Sequence, residues 1–378
     1  MKPSVFLAGM NVEGNDVREF PETIVEILKP TPIQWLRVHQ LRNRFLDEKG
    51  PNGLTYLDGI EYLCKNGYNI VTPIEVGSTT NVGVVTLDKL DQFVEESYHE
   101  SFKACKKISE VVNRHGRELI FGIENEIDPK AWILQSLPGV QWRSQFEVWV
   151  EQALNPKLKY RRLNNILKGA RDAYPEAETM ANIVAEDMRV FFNGFERELA
   201  KHKELLNECT VSIDENIDEQ IDWKTELKYL RDNLDVDYVG LDNYANWILK
   251  YPVYGQETGS KIKEAANLTG KKIFNAEFGY TTYRTFIEKI LFTILRRPSA
   301  SQMQLQFFLN TLKSIEGFQS IGTFPWVLIS HPQRPATPEQ ESYFGLIKMD
   351  SKGQLKKEPA FDYYNKWLGE KIGKSPSA

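Results

Sequence analysis

The sequence predicts one α/β domain folded as a closed parallel (β/α)8 barrel, the TIM-barrel architecture. Three observations carry that expectation. Short apolar runs alternate with amphipathic helical stretches along 378 residues, the rhythm of βα units. The runs are rich in Val, Ile, Leu and Phe and mostly do not alternate with polar residues, as expected of strands covered on both faces. Two of them end in a carboxylate, Glu126 in FGIENEID and Glu277 in KKIFNAEFGY. Residues so far apart in sequence can meet only in a fold that gathers its strand ends on one face, as this barrel does.

The strands are expected at Val5–Asn11, Ile33–His39, Asn69–Val76, Glu118–Asn125, Thr179–Val184, Tyr238–Tyr244, Lys272–Glu277 and Ser320–Val327. Helices are expected at Gly53–Asn66, Leu87–His115, Tyr160–Ala173, Lys224–Asn233, Ser260–Leu268 and Gln302–Ile315. In Leu87–His115, Val94, Tyr98, Phe102, Cys105 and Ile108 recur near helical spacing. Two stretches exceed what a barrel needs and read as insertions after strands four and five. Ile127–Lys157 carries Trp132, Trp142 and Trp149; Ala185–Asp222 carries a charged helix and the apolar run Cys209–Ile213. Insertions on the C-terminal side of barrel strands build the walls of a site. The segment YFGLIKMDSKGQLKKEPAFDYYNKW reads as a β-hairpin or an irregular strand pair followed by a last helix, so the barrel domain is expected over 1–372 and a frayed tail over 373–378. A doubly wound open sheet is the competing topology. The first turn, GMNVEGND, lacks the GxGxxG phosphate cradle usual there, which also disfavours a nucleotide-dependent enzyme.

Composition narrows the partners. A net charge of −5 argues against nucleic acid, and the basic cluster Lys157–Arg162 reads as the solvated face of a helix. No segment approaches a membrane span. Cys64, Cys105 and Cys209 form no CxxC pattern; Cys64 and Cys105 read as small buried hydrophobes. With no signal-peptide core, the expectation is cytoplasmic, or secreted if a leader has been removed. His39, His99, His115, His202 and His331 are scattered, with no HxH or HExxH, so neither a metal nor another cofactor is expected. Oligomeric state is not legible.

Two carboxylates facing each other across a barrel mouth are the machinery of glycoside hydrolysis. Four motifs then fall in order. Asn125-Glu126 closes strand four. Asp237-Tyr238-Val239-Gly240-Leu241-Asp242-Asn243-Tyr244 forms strand six. Glu277 with Phe278-Gly279-Tyr280 closes strand seven. Trp326 follows Gly322-Thr323-Phe324-Pro325 in strand eight. A softer fifth is Tyr343-Phe344-Gly345-Leu346 with Pro359-Ala360-Phe361. Together they resemble glycoside hydrolase clan A, the retaining (β/α)8 glycosidases, over nearly the whole barrel, with no family within the clan assigned.

The resemblance implies a β-glycosidase acting on an oligosaccharide or glycoside, with Glu126 as acid/base and Glu277 as nucleophile. Glu124 competes with Glu126, because residues two apart in a strand face the same way; the resemblance favours the residue directly after Asn. Arg37, at the end of strand two, would hold Glu277 ionised, or else pair structurally inside the barrel, for instance with Glu124. His39 would bind a sugar hydroxyl or satisfy the rim. Asn125 would bond the 2-hydroxyl, Tyr244 would donate its phenol to Glu277, and Trp326 would floor the sugar site. Glu75, Asn182 and Asp242 sit near other strand ends and are weaker candidates for hydroxyl binding. A non-catalytic carbohydrate-binding barrel should have lost one carboxylate, and both are present. An aldolase would want a lysine at a strand end, and no strand clearly ends in one. A metal hydrolase meets the same scatter of histidines.

Overall fold

The computed structural model describes residues 6–39, 46–75, 90–127, 156–185, 222–244, 255–284, 286–318, 320–331 and 343–373. Eight strands run in parallel and in chain order around a closed barrel: β1 (Leu7–Val12), β2 (Trp35–Val38), β3 (Asn69–Ile74), β4 (Leu119–Ile123), β5 (Glu178–Val184), β6 (Tyr238–Tyr244), β7 (Lys272–Gly279) and β8 (Ser320–Pro325). All eight expected strands are present. Strand four ends two residues early, at Ile123, and this changes the reading of its glutamates, as described below.

Around the barrel lie α1 (Gly14–Glu19), α2 (Pro21–Leu28), α3 (Tyr56–Lys65), α4 (Leu90–Arg114), α5 (Pro156–Ala173), α6 (Trp223–Asn233), α7 (Thr258–Thr269), α8 (Phe286–Ile294), α9 (Ala300–Ile315) and α10 (Pro359–Gly373). Local chemistry starts several of them. Thr55 and Asp58 close a reciprocal capping box before α3, Ser299 and Gln302 do so before α9, and Asp222 accepts from the Thr225 N–H at the head of α6. α1, α2 and α8 were not anticipated from sequence. The first two are short and meet at Phe20-Pro21, which breaks their periodicity.

The barrel is filled, not hollow. Trp35, Val71, Ile120, Met180, Tyr238, Phe274 and Phe324 project inward from seven successive strands. Rings meet edge to face, Tyr238 on Phe274 at 5.0 Å and Phe274 on Phe324 at 5.9 Å between centroids. Gly9 makes room for this layer, because the Phe324 ring lies 2.1 Å from where a β-carbon would sit. Truncating such a buried phenylalanine costs about 3–5 kcal/mol. A second, larger core lies between strands and helices. The closing seam, β1 on β8, is reinforced from α10: the Tyr364 hydroxyl lies 2.7 Å from the Gly9 carbonyl and 2.8 Å from that of Thr323.

The C-terminal segment forms the expected antiparallel hairpin, β10 (Ile347–Met349) with β11 (Leu355–Lys357), and then α10. β10 also pairs in parallel with a two-residue strand, β9 (Ile329–Ser330), too short to announce itself in sequence. The solvated-face reading of Lys157–Arg162 is corrected. Lys159 and Arg162 are buried, Lys159 against Glu226 at 2.6 Å and Arg162 against Glu124 at 2.9 Å. Cys64 and Cys105 are buried and free, and burial pushes the Cys64 thiol up to about 12. Of the expected insertions Ile127–Lys157 and Ala185–Asp222, residues 128–155 and 186–221, with Trp132, Trp142, Trp149 and Cys209, lie outside the described residues, as does the tail after Gly373. Among the described residues no helix is long and apolar enough to cross a membrane.

Candidate active site

Strand ends of the barrel converge on Glu277. Its approach is shaped by a bulge in β7: Leu241 pairs with Asn275 but Asp242 pairs with Glu277, so Ala276 is an extra residue on that strand. A bulge bends its strand and re-aims the next side chain. The peptide carbonyl it exposes is taken up by Asn11, whose Nδ2 donates to the carbonyls of Ala276 at 3.0 Å and Phe324 at 2.8 Å. Gly240 leaves space for this arrangement between Asn182 and Ala276.

Both oxygens of Glu277 receive donors. Arg37 Nη1 donates to Oε1 and the Tyr244 hydroxyl to Oε2. Arg37 is fully buried, and each of its terminal nitrogens is used: Nη1 also donates to Asn11 Oδ1 at 3.1 Å, and Nη2 to Asn125 Oδ1 at 2.7 Å. Burial works against its charge, yet the fields of Glu277 and Asp242 outweigh that and raise its pKa above the usual value. Removal from water, then the carboxylates of Glu277, Asp242 and Glu126, push the Tyr244 phenol well above its ordinary range, so it remains a donor. Arg37 therefore pairs with Glu277, and the sequence-level alternative of an Arg37–Glu124 pair does not occur.

His39 lies beside this cluster, with Nε2 2.6 Å from Arg37 Nη1 and 2.7 Å from Asn11 Oδ1. Arginine only donates and the Asn11 amide oxygen only accepts, so the two contacts ask opposite roles of Nε2, and each is made by a different tautomer of the neutral ring. Burial, and secondly the Arg37 charge, hold the imidazole well below its usual pKa. The edge of His39 meets the half-buried Trp326 ring at 4.5 Å and 77°. Behind Tyr244, Phe344 packs edge to face at 5.6 Å, which gives the Tyr343–Leu346 segment its place in the site.

On the opposite side the chain leaves β4 abruptly. Glu124 and Glu126 both have left-handed backbone, φ 62° and 50°. The period-two argument that put them on one face therefore fails. The Glu124 carboxylate is buried against Arg162 of α5, whereas the Glu126 carboxylate gathers with those of Asp242 and Glu277, one oxygen of each lying within 4.8 Å of the others. Three carboxylates could in principle chelate a cation, but both Glu277 oxygens already face hydrogen-bond donors, an arrangement for an anion.

Asn125 Oδ1 accepts from Arg37 Nη2 and from Asn182 Nδ2 at 3.2 Å, which fixes the flip of its amide. Asn182 Nδ2 also donates to Asp242 Oδ2 at 2.5 Å. The structure thus brings together all seven residues singled out from sequence: Arg37, His39, Asn125, Glu126, Tyr244, Glu277 and Trp326. It adds Asn11 and promotes Asn182 and Asp242 from weaker candidates to members of the network. Glu75 directly follows β3 and is half-buried. The one sequence signal for Asn11 is that it is an amide near the end of an apolar strand; its register with Arg37 is seen only in the barrel.

No family model and no curated protein matches the sequence. Solved structures do. A β-glucosidase from Thermotoga maritima in complex with azafagomine aligns over 99 % of this chain and 99 % of its own, at 14 % identity and TM-score 0.62. GH5_18 from Streptomyces cattleya in complex with GlcNAc aligns over 99 % and 82 %, at 10 % identity and TM-score 0.63. The GH53 catalytic domain of Ignisphaera aggregans aligns over 96 % of each chain, at 13 % identity and TM-score 0.55. What this chain shares with these glycoside hydrolases is the barrel from end to end, the fold that its clan A resemblance implies.

Proposed function

We propose that the protein is a retaining glycoside hydrolase that cleaves β-glycosidic bonds, with Glu277 as nucleophile and Glu126 as acid/base. One observation carries this reading: one carboxylate oxygen of Glu126 and one of Glu277 lie within 4.8 Å of each other where the strand ends converge, too close for the water-admitting gap of an inverting pair to be the natural reading. Retaining pairs are separated by about 5–5.5 Å, and inverting pairs by about 6.5–9.5 Å to admit a water. The likeness in fold to β-glucosidases supports the same class.

Each half-reaction follows from the contacts. Arg37 and Tyr244 stabilise Glu277 as an anion, and that anion attacks the anomeric carbon as Glu126 gives its proton to the departing oxygen. The glycosyl ester leaves Glu277 neutral. Glu126, now ionised, takes a proton from water, and the resulting hydroxide attacks the same carbon and frees Glu277. Asn125 uses Oδ1 on Arg37 and Asn182, which leaves its Nδ2 as a donor for the 2-hydroxyl, a contact expected to strengthen in the transition state. Trp326 offers a ring face to the sugar, steadied by His39.

A panel of aryl β-glycosides tests the reading. At least one should be hydrolysed, and NMR should find the β-anomer first. Initial release of the α-anomer, or no turnover on any sugar of the panel, would overturn it.

A further inference from the structure

Strand seven contains Glu277, whereas strand four stops before Glu126. Ile123 is its last member; then Glu124 and Glu126 take left-handed backbone on either side of Asn125. Residues with a β-carbon resist that conformation, and it persists only where the surroundings over-determine it. Three ties do so here. The Ile127 N–H donates to the Asn182 carbonyl at 2.9 Å and fastens the far end of the turn to β5. The Asn125 amide is fastened by Arg37 and Asn182. The near end is fastened by Glu124, whose carboxylate meets Arg162 Nη1 at 2.9 Å, with both side chains no more than 2 % exposed.

That third tie runs from the turn to α5, away from the strand ends that carry Glu277 and Tyr244. Arg162 stands on α5 in YRRLNNIL, where it is buried along with Leu163, Ile166 and Leu167, and a buried arginine needs a partner. A regular strand would turn Glu124 and Glu126 to the same side. The left-handed turn sends the first to Arg162 and the second to the carboxylates of Asp242 and Glu277.

We propose that the Glu124–Arg162 ion pair is a positioning device for the acid/base: by anchoring the first residue of the turn to α5, it carries Asn125 and Glu126 to their places opposite Glu277. The inference rests on the glycosidase reading. Both side chains are buried, so loss of the pair acts through proton delivery by Glu126 and the 2-hydroxyl contact of Asn125, and not through the nucleophile.

Breaking one partner strands a buried charge and endangers folding, whereas replacing both by apolar residues of similar volume is tolerated far better. The test is therefore the double variant Glu124→Leu/Arg162→Met, beside Arg162→Lys. With the double variant folded by circular dichroism, kcat on alkyl β-glycosides, which need the proton, should fall roughly 100-fold. Labelling of Glu277 by an activated 2-fluoro glycoside should stay within about threefold of wild type, since a good leaving group needs little acid help. Arg162→Lys should recover part of the alkyl-glycoside rate. A crystal structure of the double variant should show the 124–127 turn rearranged.

An unchanged alkyl-glycoside rate, an equal loss in labelling and in both substrate classes, or an unaltered turn would each overturn the proposal. Should the double variant fail to fold, Glu124→Gln with the same substrate pair carries the same expectation. A wild-type protein that neither turns over nor becomes labelled would instead refute the glycosidase reading, and the crystal structure would still decide whether the pair sets the turn.

Discussion

The two sides of the candidate site are built on opposite plans. Glu277 stands on a strand that continues past it, and charged and polar side chains grip its carboxylate directly: Arg37 on one oxygen, Tyr244 on the other. Glu126 stands beyond the end of its strand, and its neighbours hold the backbone, Glu124 through Arg162, Asn125 through Arg37 and Asn182, Ile127 through the Asn182 carbonyl. The chemistry explains the contrast. A nucleophile must enter the reaction as an anion, so a fixed cation on its oxygen serves it. An acid/base must be neutral in one half-reaction and charged in the next. Ties to the adjacent Glu124 and Asn125 set its position without fixing its charge.

The largest effect should come from the gripped side. Glu277→Gln keeps shape and hydrogen-bonding capacity but cannot make the covalent bond, and turnover should fall by roughly five orders of magnitude or more. A 2-fluoro glycoside should label wild type on the peptide containing Glu277, as read by mass spectrometry, and should not label the variant. A label on Asp242, its register partner across the bulge, would mean that the plan has been assigned to the wrong carboxylate.

A smaller and more selective effect is expected opposite. Glu126→Ala should lose roughly 10²- to 10⁴-fold on substrates with poor leaving groups, while formation of the glycosyl-enzyme from activated aryl glycosides largely survives. Azide should restore turnover of those aryl glycosides and yield the β-glycosyl azide. If azide has no effect on Glu126→Ala but rescues Glu124→Ala, the roles of the two glutamates must be exchanged.

These two sides also differ in how much of them the sequence discloses. Strand seven and Glu277 are legible because a buried parallel strand writes itself as a continuous apolar run, and the polar residue that closes it stands out. The same holds for Arg37 in WLRVHQ and for Tyr244. Asn11, Asn182 and Asp242 are harder, because their importance lies in contacts across strands: Asn11 to Arg37 and to the bulge carbonyl at Ala276, Asn182 to both Asn125 and Asp242. The strand-four exit is the least legible. Nothing in the string IENEI announces two left-handed glutamates, since that conformation is imposed by tertiary ties and opposed by local preference. Arg162 was hidden for the same reason. It sits in a run of basic residues that looks solvated until α5 is docked on the barrel.

The smallest expected effect lies on the gripped side and tests whether Arg37 stands there as the permanent charge. His39 is buried against Arg37, and burial together with that charge lowers its pKa well below the ordinary value. The folded protein therefore keeps His39 neutral at a pH where the unfolded chain protonates it, around 6.5 and below. In that range the unfolded state binds more protons, so stability rises with pH, and the contribution is fully present above about 6.5 and is lost as pH falls toward the folded pKa. The slope from one such group is at most about 1.4 kcal/mol per pH unit. Urea melts of wild type and His39→Gln at pH 7.5 and pH 5.0 read it out. The variant should lose less stability than wild type between the two pH values, while the pH dependence of kcat/KM keeps its shape, because a histidine that stays neutral contributes no ionisation to it. If both proteins lose the same stability, His39 is charged in the folded state. Two cations would then face Glu277, and the gripped side would have to be redrawn around a pair of charges.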